Sequence, residues 1–170
     1  MLRSRVGFLA LHGGLEEGTA EIARAAADRG GASCYTVVQP SGLRWHVPSH
    51  HFDPQASSAL ESVLTHCELV VSVHGYGRRE LATVLLAGGD DRELAAALAA
   101  HLRDALPGYD VRDDVASIPE GLRGLDPRNP VNRTRGGGVQ LELPPRVRGT
   151  RADAAALVDA LAAFATLRAV

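Results

Sequence analysis

Two histidines stand directly behind apolar runs and directly ahead of glycine. The first lies in Leu11-His12-Gly13-Gly14-Leu15-Glu16-Glu17-Gly18-Thr19, the second in Val71-Ser72-Val73-His74-Gly75-Tyr76. Imidazole nitrogens bind divalent transition metals. Two histidines with one carboxylate are a common catalytic zinc set that leaves a fourth position for water. Glu16 or Glu17, in the turn after His12, could supply that carboxylate. A second carboxylate sits in the strand-like run Val139-Gln140-Leu141-Glu142-Leu143-Pro144. Alternation puts Glu142 on the face of Gln140, opposite Val139, Leu141 and Leu143. Facing a metal crevice it would be a general base. Facing solvent on an edge strand it would be unremarkable, and alternation leaves both readings open.

Other polar groups are less telling. Arg133, in Asn129-Pro130-Val131-Asn132-Arg133, offers a planar fork suited to a carboxylate, and Asn132 a further donor. A solvated loop arginine is the competing reading. His51, in the histidine-rich stretch His46 to Asp53, is a candidate for positioning substrate, whereas Asp53 serves equally as a helix cap. His66 and His101 fall in helical stretches and read as surface or packing residues. All 18 basic residues are arginine, which excludes lysine Schiff-base chemistry and the phosphate-loop lysine. No Gly-x-Ser-x-Gly elbow occurs and neither cysteine neighbours a histidine motif, so serine and thiol hydrolases lack support. Cys34 and Cys67 read as buried, reduced thiols.

The elements that must position these groups form an α/β pattern in one domain across residues 1–170. Strands are expected at Val6–Leu11, Ser33–Val38, Leu69–Val73, Thr83–Ala87 and Val139–Leu143. Helices are expected from a Thr19 cap to Asp28, from Asp53-Pro54 to His66, from Asp91 to Ala105, and from a Thr150 cap through Leu167. His12 and His74 then fall at the carboxyl ends of strands, where open α/β sheets bind ligands. Residues 40–52 and 119–138 fit neither period; the first reads as a functional loop or a short ribbon, the second as a lid, a binding loop or disorder. A net charge of −2 and 4% aromatic residues argue against nucleic acid and against an anionic membrane surface as partners. The apolar run Val6–Leu11 is too short for a signal-peptide core, so the expected location is the cytoplasm.

Taken in order, five blocks resemble the poly-γ-glutamate hydrolases: His12-Gly13-Gly-Leu-Glu16-Glu-Gly-Thr19-Ala-Glu21-Ile-Ala23, His51-Phe52-Asp53, Ser72-Val73-His74-Gly75, Asn129 to Arg133, and Gly138 to Pro144. They run from about residue 6 to 148, and the family is similar to the zinc carboxypeptidases. The resemblance implies a mixed, largely parallel central sheet flanked by helices. It also implies one zinc ion per chain on His12, Glu16 and His74, with Glu142 as general base and Asn132-Arg133 gripping a substrate carboxylate. Glu16 follows His12 by four residues, where the carboxypeptidase pattern has three and the hydrolase turn is one longer still, so Glu17 stays a competing ligand. Arg78 and Arg79 are the nearest candidates for polarising the scissile carbonyl. The expected activity is cleavage of γ-glutamyl or similar carboxylate-bearing amide bonds in a polymer or small amide. Peptidoglycan stem peptides and N-acyl amino acids are alternative substrates of the same site. A non-catalytic protein that binds an anionic polymer is the alternative from another class.

Overall fold

A computed structural model describes residues 1–169 of the chain. Six strands form one sheet: β1 (Val6–Gly13), β2 (Ser33–Val38), β3 (Leu69–Gly75), β4 (Val84–Gly88), β5 (Asp110–Arg112) and β6 (Gly138–Leu143). Their spatial order is β2-β1-β3-β6-β4-β5, and only the β4–β6 pairing is antiparallel. The central strands are apolar on both faces because both faces are covered, as parallel sheets require. On one face Phe8, Ala10, Val71, Val73, Leu85, Val139, Leu141 and Leu143 pack against three helices, α1 (Thr19–Gly30), α3 (Arg92–Ala105) and α5 (Arg151–Arg168). This is the main core.

The opposite face is divided. At one side Leu9 and Val70 pack with Leu60, Val63 and Leu64 of α2 (Ser58–His66). At the other, Val84 and Leu86 pack with Ile118 from the long loop that precedes β6. Between these clusters lies a buried polar strip of Ser72, His74, Gln140 and Glu142. The register sets Ser72 beside Gln140 and His74 beside Glu142. A polar strip on an otherwise apolar sheet must find partners or be given a ligand.

Several local expectations need correction. Thr19 is the first residue of α1 rather than its cap; the cap position is Gly18, at φ 84°, and the Thr19 hydroxyl turns back to the Glu16 carbonyl at 2.7 Å. The helix expected from Asp53 is broken. Asp53 caps a single 3₁₀ turn, Pro54–Ala56, and Ser57 then caps α2 by accepting from Leu60 N–H. Thr150 precedes α5 without a side-chain cap, because a short helix α4 (Pro145–Gly149) runs into that junction. Three-residue β5 carries too little pattern to be read. Residues 119–138 hold two 3₁₀ turns, Glu120–Leu122 and Pro130–Asn132. Cys34 and Cys67 are buried free thiols. His101 packs on Phe164 and bonds the Ala160 carbonyl, and half-buried His66 bonds the Arg3 carbonyl. Among the described residues no helix is long and apolar enough to cross a membrane.

Phe8 is fully buried where β1 meets the main core. Phe8→Ala should lower stability by about 3–5 kcal/mol, read as a lower urea midpoint at unchanged slope.

Candidate active site

The chain leaves β1 toward β2 on one side and returns to β3 on the other, so the loops after β1 and β3 diverge. Such a switch point opens a crevice at the carboxyl ends of the strands. His12 ends up there through an irregularity. Strict alternation from Phe8 and Ala10 would send it into the helix-covered core. Instead β1 advances three residues, Ala10 to Gly13, while β2 advances two, Thr36 to Val38. This bulge re-aims the next side chain, a common device beside functional sites. The His12 and His74 rings meet on the polar face, their Nδ1 atoms 3.2 Å apart.

Glu16 completes the group. The tight turn after His12, with Glu16 N–H donating to the His12 carbonyl at 2.9 Å, folds the side chain back over the ring. Its Oε1 lies 3.0 Å from His12 Nδ1 and its Oε2 3.6 Å from His74 Nδ1. Oε2 also accepts from Gly75 N–H at 2.8 Å. Glu17, one residue on, is exposed. Ligand atoms of His12, Glu16 and His74 all fall within 4.8 Å of one another, a spacing that suits a metal ion.

Bonds behind the rings support that reading. His12 Nε2 lies 2.8 Å from the Val47 carbonyl. A carbonyl only accepts, so in the neutral ring Nε2 carries the hydrogen and Nδ1 presents its lone pair to the crevice. Ser72 Oγ holds His74 Nε2 at 2.8 Å. Burial alone would raise Glu16, but its bonds to His12 and His74 outweigh burial and hold it at about 2. Burial pulls His74 down, yet Glu16 and the charge on Glu142 raise it. The donor set is two imidazole nitrogens and an ionised carboxylate, chemistry that fits zinc.

Glu142 lines the same cavity, of about 550 Å³, as these three residues. Burial pushes its carboxyl up to about 7 against the opposing pull of His74. Gln140, two residues earlier on the same face, donates to Glu142 Oε1 at 2.9 Å and accepts from Asn129 Nδ2 at 2.8 Å. Sequence reasoning named neither Gln140 nor Asn129 as a site residue. The shared parity of Gln140 and Glu142 was the available signal.

The remaining candidates lie apart from this group. Arg133 is exposed and lines a different cleft, beside Glu61 and Thr65 of α2. The Asn132 amide is committed to the Gly124 and Asp126 carbonyls at 2.7 and 2.9 Å, and its oxygen accepts from Asp90 N–H. Asn132 therefore staples a loop, and the Asn132-Arg133 pair does not reach the cavity. His51 is exposed and meets His50 edge to face; the histidines in the cavity wall are His50 and His46, whose ring lies 4.7 Å from that of His12. Arg78 and Arg79 are exposed outside it.

A triad whose spacing suits a metal ion and a buried carboxylate thus lie together at the switch point of a mixed α/β sheet. A metallo-carboxypeptidase from Burkholderia cenocepacia has this fold, with a TM-score of 0.53 and 12% identity over 96% of this chain and 57% of that one. The chain belongs to the poly-gamma-glutamate hydrolase family, whose model matches residues 1–157. It is similar to a zinc-free form of YndL, with a TM-score of 0.77 and 26% identity over 95% of this chain and 84% of that one. A bacteriophage poly-gamma-glutamate hydrolase is also similar, with a TM-score of 0.73 and 25% identity over 96% and 84% of the two chains. A comparison with curated protein sequences gives no match. The chain is a hydrolase of amide bonds.

Gly124 has φ +66°, and a Cβ there would lie 2.6 Å from Gln140 Oε1. Gly124→Ala should cost at least ~1–2 kcal/mol from the left-handed backbone alone. An unchanged urea midpoint in that variant would show that Gln140 needs no such gap.

Proposed function

We propose that this protein is a zinc-dependent hydrolase of γ-glutamyl amide bonds, with poly-γ-glutamate as the leading substrate. The observation that carries the reading is the convergence of His12 Nδ1, His74 Nδ1 and Glu16, with His12 Nε2 committed to a carbonyl behind it. One zinc ion would be held by His12, Glu16 and His74. When bound there, zinc supplies a water of lowered pKa and draws electron density from a carbonyl oxygen.

The protein's own groups do the rest. Glu142 takes a proton as the water oxygen bonds to the amide carbon. It returns that proton to the leaving nitrogen as the C–N bond breaks. Gln140, bonded to Oε1, fixes the rotation of the carboxylate and leaves the other oxygen for this transfer. His46 and His50 line the cavity wall and would meet substrate there, while Arg133 lines a separate cleft. The buried floor excludes bulk water from the reacting atoms.

Three measurements test this reading. Elemental analysis should find one zinc per chain. Zinc at about a hundredfold above its Kd should stabilise the protein by roughly 2.7 kcal/mol. His74→Ala should lose both effects. Glu142→Gln should keep zinc while losing turnover of poly-γ-glutamate by about 10²–10⁴-fold. Undiminished turnover in that variant sinks Glu142 as the base.

A further inference from the structure

Arg148 lies on α4, immediately after β6, and sequence analysis gave it no role. Its guanidinium is half-buried. All its hydrogen bonds run to backbone carbonyls: Nε to Leu143 at 3.3 Å, Nη1 to Glu17, and Nη2 to Tyr76 at 3.2 Å. Each acceptor lies one or two residues past a group of the site. Glu17 follows Glu16, Leu143 follows Glu142, and Tyr76 lies two beyond His74. The same guanidinium lies against Gly75, where an added Cβ would be 2.7 Å from Arg148 Cζ and 2.9 Å from Nε. Gly75 is itself the N–H donor to Glu16.

We propose that Arg148 is a positioning residue that ties the three segments bearing Glu16, His74 and Glu142 into one geometry. His74 and Glu142 are already paired across the β3–β6 ladder, so the segment that needs the tie is the Glu16 turn. Beyond Gly13 and Gly75 the chain leaves the ladders of β1 and β3, and the Glu16 turn has no strand neighbour of its own. A planar fork with five N–H donors in fixed directions can reach three carbonyls on three segments at once. A lysine ammonium has the charge without that reach. Gly75 is part of the device, since only a residue without Cβ admits the guanidinium beside the strand end.

The inference rests on the zinc-hydrolase reading of the same site. The experiment compares wild type, Arg148→Met, Arg148→Lys, Gly75→Ala and the Arg148→Met/Gly75→Ala double variant. Each is measured by calorimetric titration with zinc and by kcat and KM for poly-γ-glutamate. Outer-shell supports of metal ligands are typically worth 10–100-fold, so both Arg148 variants should lose zinc affinity and kcat by that factor. Gly75→Ala, which displaces the guanidinium without deleting it, should lose them too. The double variant should be within about twofold of Arg148→Met, because the glycine acts through the arginine. Lysine restoring wild-type affinity would overturn the proposal by showing that charge suffices. Single variants that match wild type in zinc affinity and kcat would overturn it as well, as would full additivity in the double variant. A wild type that takes up no zinc and cleaves nothing overturns the zinc reading itself, and the Arg148 proposal with it. If Arg148→Met does not fold, the Lys and Gly75→Ala titrations decide alone.

Discussion

Two imidazole nitrogens lie 3.2 Å apart in a buried pocket, so either one donates a hydrogen bond to the other or both turn lone pairs toward a cation. The rest of the structure is arranged around that contact. The β1 bulge brings His12 to it, the β3–β6 register sets Glu142 next to His74, and the turn after β1 lays Glu16 across both rings. With His12 Nε2 engaged by the Val47 carbonyl, the neutral form of the ring turns its lone pair to the crevice. A protein that merely needed to fill this space would use Leu or Val, as the neighbouring clusters do. Polar groups at such depth persist only where each has a partner.

The same contact explains the divided sheet face. Apolar clusters on either side, one under α2 and one under Ile118, keep water from the flanks of the polar strip. Glu142 is desolvated by this arrangement, which pushes its carboxyl up, whereas Glu16 is held down by two rings at hydrogen-bond distance. Two carboxylates in one cavity thus differ in basicity through their neighbours alone. That separation suits one to be a ligand and the other to exchange protons.

Much of this was legible from residue order. Apolar runs ending in His-Gly mark β1 and β3, and alternation marks the face of Glu142. What escaped the sequence was whatever depends on tertiary detail. Alternation from Phe8 points His12 into the core, and the bulge that reverses it leaves no local trace. Asp53-Pro54 is a sound helix start, yet Ser57 offers a second cap that restarts the helix three residues later. Asn132-Arg133 carries a recognisable pattern, but the turn at Pro130–Asn132 spends the asparagine on backbone carbonyls and leaves the arginine in solvent. Arg148 was invisible because its partners are carbonyls, which every residue has.

Floor and rim of the cavity are held by different means. His12, Glu16, His74 and Glu142 are each oriented by a bond to a strand, a strand end or a neighbouring loop backbone. The rim is made by residues 40–52 and 119–138, which meet at His50 and Asp126, 3.9 Å apart and both partly exposed. Asp126 is further paired with Arg128, and Gln39 clamps the backbone of exposed Trp45. Contacts of this kind are each worth little and are screened by salt. The floor is thus held by strands and strand ends, whereas the outer edge of the rim rests on exposed loop contacts. Motifs record the floor because its geometry tolerates few residue types. The rim is built from loop backbone and exposed side chains, which leave no such pattern in the sequence.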